Sequence, residues 1–464
     1  MIHFWDSSVW SWMLLFGVLF GSLLLGHLLK KIPLLKKSLI PTSVLGGAII
    51  LLVTGIYKLI TKDSFFDAAV FNGKGYATLE VITYHALALG FIASALKTSK
   101  NKMTKARSVE IFNTGVTTVS TYLIQAIFGM GITIIAALVM KNGFFPAAGV
   151  LLAFGFGQGT GQAMNYGSQY AEAGFVNGTN FGLAIAAIGF LSASIGGVVH
   201  MHIMKKKGKL KKSDRADGSS QVEEVSPEGE IPLQESLDKI TIQVALVVVT
   251  YVLAYGVMAL LGSFFGEGLK SVIYGFNFLL GVLMAVVVKG ILGFLNKKKL
   301  IRRKQTNNFL LTRISNFFFD VMIVAGVAAI QLETLANYVG VLAILSVVGL
   351  TVTYAYNRIV AKTLFKDYCE EQFLMMYGML TGTASTGTIL LREVDEDFKT
   401  PAADNMVYQN FPAIVFGLPM MFLATLAITK PVLTLIIFVL FFAAMNVILF
   451  RSKIFKKRKS KDKK

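Results

Sequence analysis

Two runs rich in glycine, threonine and amide side chains interrupt an otherwise apolar chain: GFGQGTGQAMN, from Gly155 to Asn165, and GMLTGTASTGT, from Gly378 to Thr388. In the first, Gly155, Gly157, Gly159 and Gly161 alternate with Phe156, Gln158 and Thr160. Bare glycines let a backbone turn and let a small solute approach its N–H groups closely. A helix starting just after such a turn aims its positive end at an anionic group. The Thr160 hydroxyl and the Gln158, Gln162 and Asn165 amides add directional donors and acceptors. The second run supplies Thr381, Gly382, Thr383, Ser385, Thr386, Gly387 and Thr388. Its hydroxyls and freed carbonyls suit a hard monovalent cation such as sodium. Either run alone is equally well read as small residues for tight helix packing. Two at matching places in the two halves point to a solute site. The glycine spacing echoes a dinucleotide fingerprint, but apolar spans replace the βαβ context, so nucleotide binding is set aside.

The elements that must position these runs are membrane spans. Of 464 residues, 54% are hydrophobic and 15% charged, where a soluble chain carries about 25% charged residues. Apolar segments long enough to span occur at about 9–29, 40–61, 79–97, 111–140 and 177–204, then at about 239–265, 271–295, 310–331, 336–362, 403–429 and 432–450. The interrupted segments, 146–167 and 372–391, are left over. Lipid satisfies no free backbone group, so such backbone survives at membrane depth only against protein or a water-filled cavity. The first span lacks a basic leader and a cleavage site and reads as retained. The single cysteine, Cys369, excludes an internal disulfide and a cysteine metal cluster. With no hydrolase triad, metal-ligand cluster or ATP motif, the expectation is a non-enzyme without cofactor or transition-metal site, driven by an ion gradient or passive. The net charge of +19 comes from basic residues beside spans. Positive-inside bias and anionic lipid explain them, and no nucleic-acid partner is expected.

If the N-terminus lies outside and both interrupted segments turn back, the cytoplasm receives every Lys and Arg except Lys58, Lys62, Lys74, Lys141, Lys270 and Lys430. Were only one segment to cross, later loops would flip and the bias would collapse, so both are expected to be re-entrant hairpins. The expected fold is an all-α polytopic membrane protein of about eleven spans, N-terminus out and C-terminus in. Residues 1–204 form a first five-span repeat with hairpin 146–167, and 239–430 an inverted second repeat with hairpin 372–391. Residues 205–238 read as a disordered cytoplasmic linker, and 431–464 as an extra span with a basic tail. The hairpins of inverted repeats enter from opposite sides and meet near mid-membrane, as alternating access needs.

Ionisable residues within spans are functional candidates. Asp320, among Phe317, Phe318 and Phe319, either holds a cation or makes a structural hydrogen bond. Asp404 opens the tenth span as a helix N-terminal charge, Gln125 lines a cavity or joins helices, and His85 packs. Arg392, Glu393, Asp395, Glu396 and Asp397 read as a solvated loop, and Gly17/Gly21 as a packing motif.

At these residues the chain resembles the bacterial sodium:glutamate symporter family. LKKSLIPTSVLGG (Leu35 to Gly47), GFGQGTGQA, QAIFGMG (Gln125 to Gly131) and GFVNGTNFGLAIAAIGFLSASIGG (Gly174 to Gly197) carry the likeness. The family's hairpin histidine is Gln158 here, and the second hairpin has Ala384, Ser385 and Thr386 instead of the family's Thr-Pro-Thr pattern. The resemblance implies two inverted five-span repeats, a fold similar to citrate:sodium symporters, a homodimer and sodium-driven glutamate uptake across the plasma membrane. The substrate site is then expected at Gly157, Gln158, Gly159, Thr160, Gly161, Gly382, Thr383, Ser385 and Thr386. Sodium candidates are Thr386, Thr388, Asn165, Gln125 and Asp320. A symporter for another carboxylate such as citrate or malate, or a sensor or channel on the same fold, are the alternatives.

Overall fold

The computed structural model describes residues 3–36, 40–97, 104–140, 143–207, 238–265, 270, 273–300, 305–395 and 400–454. The expected linker at 205–238 and the end of the basic tail lie almost wholly outside the described residues. Of Ser385 only the backbone is described. The helices that matter here are α1 (Ser7–Leu29), α2 (Thr42–Thr61), α3 (Gly75–Leu96), α4 (Lys105–Val139), α5 (Leu151–Gln158), α6 (Thr160–Glu172), α7 (Gly178–Lys206) and α8 (Lys239–Phe265). They continue as α9 (Asn277–Lys297), α10 (Asn308–Ala328), α11 (Val339–Leu364), α12 (Cys369–Thr381), α13 (Ala384–Arg392), α14 (Ala402–Tyr408), α15 (Asn410–Thr429) and α16 (Pro431–Leu449). Among the described residues, eleven helices are long and apolar enough to cross a membrane. Each lies at an expected place, because runs of about 20 apolar residues are the strongest signal a sequence carries.

Boundaries differ from expectation by a few residues, and two of the differences have a visible cause. The fourth span begins at Lys105, where Thr104 caps the helix by accepting from the Arg107 N–H at 3.3 Å. The expected tenth span is two helices, α14 and α15, parted at Gln409. Pro412 has no N–H to give the carbonyl of Tyr408, which removes a ladder bond across the break. Asp404 stands in the first turn of α14 and meets Arg107 at 3.5 Å, in keeping with a negative charge at a helix start.

The described residues form two compact units. The first comprises residues 1–83, 102–200 and 323–464, and the second 84–101 and 201–322. In the second unit, Ile92, Ala93, Leu96, Val247, Ala285, Leu311 and Ile314 form a buried core. Polar groups there are tied off: the Tyr84 hydroxyl donates to the Tyr274 carbonyl at 2.7 Å, and His85 Nδ1 lies 2.8 Å from the Tyr251 hydroxyl. His85 stays exposed, its ring edge-on to Tyr84 and Tyr251.

In the first unit the 35-residue α4 is the post to which other elements attach. Its buried Thr114, Thr117, Thr118, Ser120 and Thr121 hydroxyls donate to carbonyls four residues back, at 2.7–3.1 Å. Such back-bonding satisfies hydroxyls without a partner helix, leaving α4 smooth enough for close neighbours. Gly129 and Gly149 approach so closely that a Cβ on either would overlap the other's backbone. Gly149→Ala is expected to destabilise the protein by about 1–3 kcal/mol, read as a lower melting temperature of the purified protein. The eleventh span, α16, also packs on this unit: the Tyr356 hydroxyl donates to Asn446 at 3.0 Å, and Arg451 donates to Asn113 at 3.0 Å. Gly17 and Gly21 meet nothing within 4 Å. The α1–α2 contact uses Gly26 and Gly46 instead, where the backbones touch.

Candidate functional site

Both interrupted segments are helical hairpins. In the first, Pro146 opens a 3-10 turn (Pro146–Val150) that leads into α5. The helix stops at Gly159, whose φ of +81° and ψ of −169° suit glycine alone, and α6 runs back. The return is fixed by aromatic pairing: Phe154 of α5 stacks on Tyr166 of α6 with centroids 3.9 Å apart and planes within 3°. At the root, Phe145 lies 5.5 Å from Tyr170 and 5.2 Å from Phe175, so the chain enters and leaves together. The Tyr166 and Tyr170 hydroxyls donate to the Met421 and Ala424 carbonyls of α15 at 3.1 and 2.9 Å.

The second hairpin turns at Gly382 and Thr383, between α12 and α13. A Cβ on Gly378 would sit 2.9 Å from Gly387 Cα, so glycines at both positions let the arms touch. At its root, Asn405 donates to the Tyr368 hydroxyl and to Gln372 Oε1, both at 3.0 Å. That again places the way in beside the way out. The loop read as solvated is partly buried: Asp395 is 8% exposed and accepts from the Thr400 N–H at 2.8 Å and hydroxyl at 2.5 Å. An Asp that closes a turn on nearby backbone trades solvent for local hydrogen bonds. Glu396 and Asp397 lie outside the described residues.

The contacts along α4 give the directions of the two hairpins. Gln372, in the root of the second, donates to Thr114 at 3.1 Å. Pro146 and Gly149, in the root of the first, bond to Thr133, whose hydroxyl donates to the Pro146 carbonyl at 2.6 Å and accepts from the Gly149 N–H at 3.1 Å. Those anchor points are about 28 Å apart at 1.5 Å per residue. Gln125 lies between them and touches both turns. Its Nε2 donates to the Leu380 carbonyl at 2.9 Å and to the Thr353 hydroxyl at 2.8 Å. Its Oε1 is buried without a hydrogen-bond partner, 3.1 Å from where a Gly157 Cβ would be. The hairpins therefore come from opposite ends of α4 and meet at its middle. There a Cβ on Gly159 would lie 3.4 Å from Thr383 Cγ2 and 3.7 Å from the Gly382 carbonyl oxygen.

Four helix ends converge at this junction. The starts of α6 and α13, at Thr160 and Ala384, have no side-chain cap, so their N–H groups favour an anion. The ends of α5 and α12 present carbonyls, which favour a cation. Gly157, Gln158, Gly159, Thr160, Gly161, Gly382, Thr383 and Thr386 are thus brought together. Thr160 is buried and packs on Gly326 of α10, and Thr386 is buried with its hydroxyl 3.5 Å from that of Thr383. Asn165 is buried one turn further along α6. Thr388 points elsewhere: its hydroxyl donates back to the Ala384 carbonyl at 2.9 Å. Asp320 is half-buried and belongs to the second unit.

Some residues at the junction escape a reading by composition. Thr353, which Gln125 engages, sits in the apolar run VGLTVTYAYN; a hydroxyl at mid-span was its only signal. Gln162, whose amide the sequence did offer as a donor and acceptor, is 1% exposed with neither amide atom bonded.

Paired broken helices meeting at the middle of a bundle of apolar spans are the hallmark of a secondary transporter. The sodium/glutamate symporter family model matches residues 13–383, and the chain belongs to this family of sodium-coupled transporters. The match takes in both turns and ends at Thr383, so α13 and the eleventh span lie beyond it. A search of the curated proteins finds none that matches.

Proposed function

We propose that the chain imports L-glutamate, or a related acidic amino acid, with sodium across the plasma membrane, by alternating access about the junction of the two hairpin turns. The approach of Gly159 to Gly382 and Thr383 carries this reading. Backbone N–H groups from Gly157 to Gly161, with the Gln158 and Thr160 side chains, hold the substrate carboxylate at the start of α6. From the other side Gly382, Thr383, Ser385 and Thr386 complete the substrate site. Sodium lies against the carbonyl ends of α5 and α12, with Gln125 Oε1, Thr386 and Asn165 as oxygens within reach. Thr388 and Asp320 are weaker candidates: the Thr388 hydroxyl is engaged by its own helix, and Asp320 belongs to the other unit.

The N-terminus lies outside, and residues 1–204 and 239–430 are inverted repeats. Opposed hairpins along α4 support that relation. The working assembly is a homodimer in the lipid bilayer. A second substrate reading, another carboxylate such as citrate or malate, is favoured by one observation: the return arm α13, half of the second turn's surroundings, lies beyond the family match.

Uptake of labelled glutamate into proteoliposomes, with and without an inward sodium gradient, tests the proposal. Saturable accumulation that needs the gradient is expected. A folded preparation that accumulates citrate or malate but no glutamate would establish the second reading.

A further inference from the structure

Three helices meet at the root of the second hairpin in a cluster of ionisable groups that the substrate site does not use. Glu370 stands in the first turn of α12. Arg358 of α11 grips both its oxygens, Nη1 donating to Oε2 at 2.6 Å and Nη2 to Oε1 at 2.7 Å. Oε2 also lies 3.0 Å from Nε2 of His200, on α7. The other ring nitrogen, Nδ1, lies 2.7 Å from the Tyr354 hydroxyl. Phe373 packs on the imidazole with centroids 4.4 Å apart and lies 5.3 Å beneath the Arg358 guanidinium. His200 is 2% exposed. The remaining charged or titratable neighbours are Cys369, Glu371 and Lys362, with Asp395 beyond Glu371.

Donor and acceptor rules fix one proton of the ring. Burial pushes the Glu370 carboxyl up, but hydrogen bonds from Arg358 and His200 outweigh it and hold the group below the usual carboxylate range. An ionised carboxylate only accepts, so His200 Nε2 carries a proton, and Nδ1 of the neutral ring accepts from the Tyr354 O–H. A second ring proton keeps both contacts, because Nδ1–H can donate to the Tyr354 oxygen. Charge is what changes. The Arg358–Glu370 pair is neutral, and an imidazolium beside it adds a positive charge next to the Arg358 guanidinium where burial makes charge costly. Water entering the root would relieve it.

We propose that Glu370, Arg358 and His200 are positioning residues that anchor the supporting arm of the second hairpin, and that protonation of His200 loosens this anchor and slows the transport cycle. The link from root to turn is α12 itself, held at its far end where Gln125 binds the Leu380 carbonyl and, between, where the Tyr377 hydroxyl donates to the Ser192 carbonyl at 3.0 Å. Helices α7 and α11 thus hold the root of α12, α7 its middle and α4 its far end, so a shift at Glu370 is carried to Gly382 and Thr383. The inference rests on the reading of those turns as the transport site.

His200→Gln is the decisive variant: its amide can donate to Glu370 and accept from Tyr354 but takes no proton. With pH equal on both sides, sodium-driven uptake by the unaltered chain at saturating substrate should fall about fivefold between about pH 7.5 and about pH 5.5. The glutamine variant should match it at the upper pH and stay flat. Glu370→Gln should lower the maximal rate at every pH while changing the half-saturating glutamate concentration little. The lone Cys369, next to Glu370, gives a substrate-independent readout. Its thiol-labelling rate, divided by that of the His200→Gln chain at the same pH, should rise as pH falls. A His200→Gln chain that keeps the full pH dependence overturns the proposal, as does a labelling ratio constant with pH. Loss of glutamate uptake at all pH values with the labelling ratio still rising would reject glutamate and leave the anchor standing.

Discussion

Gly159→Leu should lower sodium-driven glutamate uptake by at least about a hundredfold, equivalent to about 2.7 kcal/mol, while the protein still inserts and purifies with its normal size. Two costs combine. The backbone at Gly159, with φ +81° and ψ −169°, lies in a region essentially closed to residues with a Cβ, and forcing one there costs about 1–3 kcal/mol. The first side-chain carbon would already touch Thr383 Cγ2 at 3.4 Å, so the other three carbons of leucine must displace the opposite turn. Gly159→Ala separates the effects. It carries the backbone cost but makes only ordinary contact, and should lose about tenfold, about 1.4 kcal/mol. Uptake rates normalised to purified protein check both, and near-normal transport by the leucine variant would remove Gly159 from the site.

The sequence made the spans legible because lipid imposes length and apolarity on every crossing helix, and all eleven lie where apolar runs place them. It made the two turns legible for the complementary reason: a polar, glycine-rich stretch between spans has to be satisfied by protein or water. The pairings that hold the turns were not legible. Nothing in the run around Gln125 says that its amide reaches Leu380, because the two residues are 255 positions apart and the contact depends on both hairpins being threaded against α4. The break at Gln409 was readable in principle from Pro412, but an apolar run of spanning length outweighed it. His200 carried no signal of its own, lying near the end of the fifth apolar run with three lysines close behind it. Its partners, Arg358 and Glu370, come from a different half of the chain. Asp395 failed in the same way: an acidic string reads as solvated, whereas the Asp395 carboxylate is buried and accepts from Thr400.

Gln125→Leu should reduce kcat/KM for glutamate uptake by about 30- to 150-fold, on the order of 2–3 kcal/mol, and raise the half-saturating sodium concentration as well. Leucine roughly fills the volume, so the loss comes from polar groups, not from a cavity. Leu380 is the penultimate residue of α12, and its carbonyl is one of those a helix end leaves without an internal partner. Removing the Gln125 Nε2 donor strands that carbonyl and the Thr353 hydroxyl in a fully buried setting, at about 1–3 kcal/mol for each group left unmet. If Oε1 also faces sodium beside Gly157, as proposed, the cation loses an oxygen at the same stroke. Gln125→Glu distinguishes the two contributions. An ionised glutamate keeps an oxygen toward Gly157 but has no N–H for Leu380 or Thr353. A variant that keeps normal sodium dependence yet transports slowly would show that the bridge between α4, α11 and the second turn dominates. A variant with tighter sodium binding and largely preserved turnover would show that the oxygen does. Activity of the leucine variant within about threefold of the unaltered chain, less than about 0.7 kcal/mol, would exclude both roles and leave α4 holding the hairpin junction by packing alone.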